Sequence, residues 1–180
     1  SRKENWIHVG RLDPSKNIDL LIETFLAFKS KNTNMTFSLV GLSTKKFTSY
    51  ENHLKTKYSF AIEDGSIHFL GRKSATEISN ILSQNDLFFH AFEGSLDKSL
   101  IEATFNGVTV ITINQAYLKE FGPLSIEFNN SANYLHREIE NWLKLNPEYL
   151  REVAKKRRMI ASNSHSFANW ILRVEHELFT

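Results

Sequence analysis

At 180 residues, with 41% hydrophobic and 23% charged side chains, the chain suits one domain that buries about two thirds of its unfolded surface. A net charge of +2 supplies no whole-molecule field for nucleic acid, so no nucleic-acid partner is expected. The lack of cysteine excludes disulfide frameworks, zinc–thiolate sites and thiol chemistry, and it fits a reducing compartment.

No apolar run of about eighteen residues is present to span a membrane. WIHVG begins almost at once and reads as a core strand, as expected of a domain cut from a longer chain. In residues 17–28, Ile18, Leu21, Ile22, Phe25 and Phe28 fall at helical spacing, with Asp13 or Ser15 as the cap. MTFSLVG predicts the second strand, closed by Gly41, and a polar helix follows over 47–58. IHFLG predicts the third strand; Ser74 then caps a helix through Leu82, with Glu77 in capping-box position. DLFFHAF predicts strand four, FEGSLDKSLIEA leads into a helix ending near Asn106, and VTVITI predicts strand five. SIEF, residues 125–128, is a candidate sixth strand, and helices are expected over 134–145, 147–160 and 167–179.

Strands apolar on both faces, alternating with helices, imply an α/β fold: a doubly wound, Rossmann-like parallel sheet of about six strands with helices on both faces. Such sheets bind ligands in the crevice at the carboxyl ends of their strands. The chain has no GxGxxG, P-loop, GxSxG, HExxH or DxD pattern, which removes the usual dinucleotide, phosphate-loop, hydrolase, zincin and metal–diphosphate signatures. Arg11 stands where a response regulator would need acidic residues.

Three clusters fall at strand ends. In GRLDPSKN, Gly10 ends strand one, Arg11 follows, and Lys16 precedes the next helix. A guanidinium, an ammonium and a helix N-terminus suit a diphosphate; the alternative is that Arg11 pairs with a local Asp and Lys16 is solvated. In FLGRKSATEI, Gly71 either frees backbone groups for the edge of a base or serves a plain turn. In FEGSLDKSLIEA, the amides of Gly94 and Ser95 and the first turn of a helix starting near Asp97 or Lys98 can face the crevice. Glu102 can accept two sugar hydroxyls or lie on a solvated face, and Asp97 can be a plain N-cap. Cations for a diphosphate together with carboxylates for hydroxyls describe a nucleotide sugar.

GRLDPSKNIDLLIETF resembles the GRLxxxKGxxxLIxAF signature of family-4 glycosyltransferases. FLGRKSATEISNILSQNDLFFHAFEGSLDKSLIEATFNGVTVI resembles their FLG…EL…ADLF…EGxxxxxLEAxxxGxPVI segment, so the likeness covers roughly residues 6–112. It implies the GT-B architecture, with residues 1–180 as the single C-terminal, donor-binding domain and the N-terminal acceptor domain absent. It implies a retaining transferase that needs no metal or other cofactor. By the same resemblance Gly10, Arg11 and Lys16 meet the donor diphosphate, and Arg11 and Lys16 stabilise the leaving group. Glu102 holds the ribose, and Gly71 and Arg72 lie beside the base. Glu93 holds the transferred sugar together with the loop Gly94, Ser95, Leu96, Asp97, Lys98 and Ser99; the catalytic set is Arg11, Lys16 and Glu93. The implied partners are a nucleotide sugar and an acceptor glycan or lipid-linked sugar.

Four positions depart from the family pattern. Eight residues rather than seven separate Glu93 from Glu102; Asn17 replaces a glycine; Val108–Thr109 replaces a residue–proline pair; and TINQAYLKEF lacks the Gly-Gly after strand five. His90 lies near the crevice, where a structural role competes with a sugar contact, and His8 is expected to be packed. The run 155–158, KKRR, is a solvated helix face or a site for anionic lipid headgroups. The expected location is the cytoplasm, with peripheral attachment of the full-length protein to the cytoplasmic face of a membrane as an option. The rival functions are another enzyme acting on the same donor, such as an epimerase, and a degenerate nucleotide-binding or interaction module.

Overall fold

The computed structural model describes residues 5–31, 33–124 and 134–165. Five strands, β1 (Asn5–Val9), β2 (Thr36–Val40), β3 (Ile67–Gly71), β4 (Leu87–His90) and β5 (Thr109–Thr112), form one sheet in the order β3-β2-β1-β4-β5. Every pairing is parallel. The sheet therefore has five strands among the described residues, not about six, and the proposed sixth at 125–128 lies outside them. The order reverses between β1 and β4, which sets the ligand crevice of a doubly wound sheet at their carboxyl ends.

Adjacent β1 residues serve opposite faces, so both faces carry a core. Trp6 packs with α1 (Ile18–Lys29) and α7 (Tyr134–Lys144), its ring meeting Phe25 at 5.5 Å, Phe89 at 5.4 Å and Trp142 at 6.4 Å between centroids. Ile7 and Val9 join the other core, built with α4 (Ala75–Ser83), α5 (Lys98–Phe105) and α6 (Gln115–Phe121). Helices on both faces follow directly from strands with no polar side.

Ser74 caps α4 as its sequence implies: it accepts from the Glu77 amide, and Glu77 Oε2 accepts from the Ser74 amide at 2.8 Å. The helix expected over 17–28 forms as α1, but the expected Asp13 cap belongs to a separate turn ahead of it. Asp13 caps a 3-10 turn, Pro14–Lys16, and α1 starts only after Asn17, whose φ is 50°. That left-handed backbone explains why asparagine can stand where the family has glycine, since it tolerates positive φ better than most residues. The polar helix expected over 47–58 forms as α2 (Thr48–Lys57), preceded by a 3-10 turn, Lys45–Phe47, and followed by a short α3 (Ser59–Glu63). α6 is an additional helix, signalled by Asn114 as cap and by Tyr117, Leu118 and Phe121 on one face.

α8 (Pro147–His165) runs five residues beyond the predicted end, and the predicted helix at 167–179 lies outside the described residues. In its KKRR run, Lys155, Lys156 and Arg158 are exposed, as a solvated face requires. Arg157 departs from that expectation. It is buried and donates to the carbonyls of Val110 at 3.0 Å and Gly122 at 2.6 Å, backbone acceptors that would otherwise need a partner. No helix among the described residues is long and apolar enough to cross a membrane.

Candidate functional site

β1, β2 and β3 all run into glycine at their carboxyl ends. Gly10 donates to Val40 O at 3.0 Å, and Gly41 donates to Gly71 O at 2.8 Å. Gly41 has φ of 137°, and a Cβ there would sit 1.9 Å from the Gly10 carbonyl oxygen. The three strand ends thus lie close together and carry no side chains of their own. Over this floor opens a cavity of about 480 Å³ lined by Gly10, Arg11, Gly41, Ser43, Arg72 and Lys73, among others. Its volume is in the range of small-molecule sites. Arg11 is 66% exposed and only loosely held by Asp13 at 3.6 Å; Arg72 is exposed. Two guanidiniums over a glycine floor suit an anionic, planar-faced ligand.

A second group lies where β4 meets α5. The Lys16 ammonium is buried 2.5 Å from Asp97 Oδ2 and 3.6 Å from the centroid of the Phe92 ring. Asp97 caps α5, accepting the Ser99 amide at 3.2 Å, and also takes His90 Nε2 at 3.3 Å. Burial would raise the Asp97 pKa, but hydrogen bonds from His90 and Lys16 hold its carboxyl well below the usual range. Burial keeps His90 neutral against the pull of Asp97. Its Nε2–H therefore donates to Asp97, and Nδ1 accepts from Thr112 Oγ1 at 2.9 Å, whose oxygen accepts the Asn114 amide at 3.0 Å. Asn17 adds a further tie, donating to Ala91 O at 2.8 Å.

His8 is fully buried, as expected, with its ring 6.0 Å from that of His90. Its Nδ1–H donates to Phe89 O at 3.0 Å and Nε2 has no partner among the described residues. Burial first, and the neighbouring His90 second, lower its pKa to about 3. The unfolded chain therefore takes up this proton near the ordinary value of 6.5, before the folded chain does. Stability contributed by His8 is present above that value and falls as the pH drops from 6.5 toward 3. In urea unfolding, His8→Gln, which keeps a donor for Phe89 but cannot titrate, should lose about 2 kcal/mol less than the parent between pH 7 and pH 5.

The remaining predicted residues surround these two groups. Glu93, Gly94 and Ser95 are exposed and Leu96 is half-buried. Glu102 pairs with Lys98 at 3.2 Å along α5, and the buried Ser99 hydroxyl lacks a partner among the described residues. Gly10, Arg11, Gly71 and Arg72 thus meet at one edge, while Lys16 and Asp97 meet at β4, turned toward each other. Sequence reasoning read Gly41 only as the close of strand two and left it out of the site, although it has the same strand-ending signal as Gly10 and Gly71, and it passed over Asn114, whose Nδ2 donates to three loop carbonyls.

The sheet order and its glycine-floored crevice define a Rossmann-like α/β domain suited to an anionic ligand. The chain belongs to the glycosyl transferases of group 1, whose family model matches residues 1–164. A comparison with curated proteins finds no significant match. Among solved structures it is similar to Anabaena HepE in complex with UDP-glucose, with a TM-score of 0.79 and 17% identity over 98% of this chain and 49% of that one. A glycosyltransferase from Rickettsia africae gives 0.78 at 17% identity, over 99% and 47% of the two chains. The C-terminal domain of the group 1 glycosyl transferase LpcC from Francisella tularensis gives 0.73 at 16% identity, over 91% and 87%. These likenesses establish a GT-B-type domain fold, and this chain spans about half the length of the Anabaena protein.

Proposed function

We propose that this chain is the donor-binding half of a retaining, metal-independent glycosyltransferase that moves a sugar from a nucleoside-diphosphate sugar to a glycan or lipid-linked acceptor. The observation that carries this reading is the glycine floor flanked by Arg11 and Arg72 at the carboxyl ends of β1, β2 and β3. The Anabaena neighbour, crystallised with UDP-glucose on the same fold, and a pneumococcal O-GlcNAc transferase, crystallised with UDP and GlcNAc, support it.

In this reading Gly71 and Arg72 border the base, Glu102 takes the ribose hydroxyls, and Glu93 with the following loop takes the sugar. Arg11 and Lys16 offset charge on the departing diphosphate, a role that preorganised donors perform without a metal. An ammonium has three donors, so Lys16 can hold Asp97 with one and offer the others to phosphate oxygens. A second reading, a nucleotide-binding module without transfer, is favoured by one observation: the Lys16 ammonium is already neutralised by Asp97.

Thermal-shift screening of UDP-, GDP- and ADP-sugars should single out one base, with stabilisation of about 2.7 kcal/mol at a hundredfold excess over Kd. With that donor and a broad acceptor set, the chain alone should release no glycosylated product. Holding the acceptor oxygen at the anomeric carbon requires the opposite wall of the cleft, a positioning term of about 7–11 kcal/mol. No thermal shift with any donor would overturn the donor reading. Acceptor-dependent turnover by this chain would overturn the half-enzyme reading. A full-length protein that binds the donor yet transfers nothing would establish the second reading.

A further inference from the structure

The loop from Phe92 to Leu96 belongs to no helix or strand, yet one side chain from the turn between β5 and α6 gathers it. Asn114, fully buried beyond β5, donates from Nδ2 to Phe92 O at 3.0 Å, Gly94 O at 3.1 Å and Ser95 O at 3.1 Å. Its Oδ1 accepts the Tyr117 amide at 2.9 Å, so the same residue caps α6. The structure has no cis peptide among the described residues, and in a planar trans peptide the N–H points opposite to the C=O. Three carbonyls drawn inward to Asn114 therefore turn the N–H groups of Glu93, Ser95 and Leu96 outward. None of these three has a hydrogen-bond partner among the described residues. Glu93, Gly94 and Ser95 are exposed at the carboxyl edge of the sheet, beside the capped start of α5. Successive outward N–H groups form a concave donor array for anionic or hydroxyl oxygens.

We infer that Asn114 is the positioning residue of this loop, aiming the peptide N–H groups of Glu93, Ser95 and Leu96 at oxygens of the donor's sugar unit. The inference rests on the donor-binding reading, and Asn114 itself touches no substrate. Its two roles can be separated chemically. Serine caps a helix about as well as asparagine, so Asn114→Ser keeps an acceptor for the Tyr117 amide while removing the donor pair that holds the loop.

The test is calorimetric titration of the parent and Asn114→Ser chains with the preferred nucleotide sugar and with its nucleoside diphosphate. The variant should weaken nucleotide-sugar binding about tenfold and nucleoside-diphosphate binding less than twofold. Equal losses for the two ligands, or no loss for either, would overturn the inference. A parent chain that binds neither ligand would overturn the donor reading and this inference with it. Should the variant not fold, amide hydrogen exchange on the parent decides: the nucleotide sugar should protect Glu93, Ser95 and Leu96, and the nucleoside diphosphate should not. Protection by neither ligand, or by both alike, would overturn the inference.

Discussion

Asp97→Ala is expected to cost the domain about 3 kcal/mol of stability. The carboxylate receives the buried Lys16 ammonium at 2.5 Å and His90 at 3.3 Å, and it caps α5. Removing it strands a cation beneath Phe92 with water largely excluded, the most costly way to break a buried pair. Asp97→Asn retains the cap and a polar partner but not the charge, so its loss should be smaller. The pH dependence has a definite sign. The folded-state pKa is depressed below the ordinary 3.8, so the stabilisation is present above that value and is lost as the pH falls below it. Adding Lys16→Met to Asp97→Ala should recover much of the stability, because the stranded charge is then gone. Urea unfolding at pH 7 measures all four proteins. A loss under 0.5 kcal/mol for Asp97→Ala, within the ordinary range of surface substitutions, would show that the Lys16 ammonium finds water without this partner.

Arg11→Ala should act in the opposite way, with a small effect on stability and a large effect on binding. Its side chain is 66% exposed and its contact with Asp13 is a loose 3.6 Å, so the fold draws little from it. A guanidinium on a diphosphate contributes about 1.5–3 kcal/mol, which predicts roughly ten- to hundredfold weaker nucleoside-diphosphate binding. Added salt should narrow the difference, since much of the attraction is between charges near water. Equal affinities by calorimetry for the parent and Arg11→Ala would remove Arg11 from the site.

The frame of the fold was legible because it rests on local signals. Apolar runs such as WIHV and LFFH declare strands with two buried faces, and Ser74 with Glu77 declares a helix start three residues apart. The strand-ending glycines at 10 and 71 and the cation at 11 pointed to the crevice for the same reason. What escaped the sequence was non-local. The union of Lys16 with Asp97 spans 81 positions and requires β1 and β4 to be neighbours. Spacing along one segment suggests a free ammonium and a plain cap, and only the sheet order turns them toward each other. Asn114 was hidden in the same way, because its partners lie some twenty residues earlier on the adjacent strand's loop. Asn17 looked like a simple departure from a glycine pattern until its positive φ showed that the backbone keeps the glycine-like turn. Arg157 read as one of four solvated cations because nothing in KKRR reveals which turn of α8 faces β5.

The central claim is that the glycine-floored crevice binds a nucleotide sugar. Backbone amide chemical shifts of the labelled chain, titrated with the nucleotide sugar selected by thermal shift, test it most directly. The predicted result is a saturable set of changes at Gly10, Arg11, Gly41, Ser43 and Arg72, joined by Glu93, Ser95 and Leu96 when the sugar is attached. Saturable changes confined to the α8 surface around Arg151, Lys155 and Arg158, with the strand-end glycines unmoved, would contradict it.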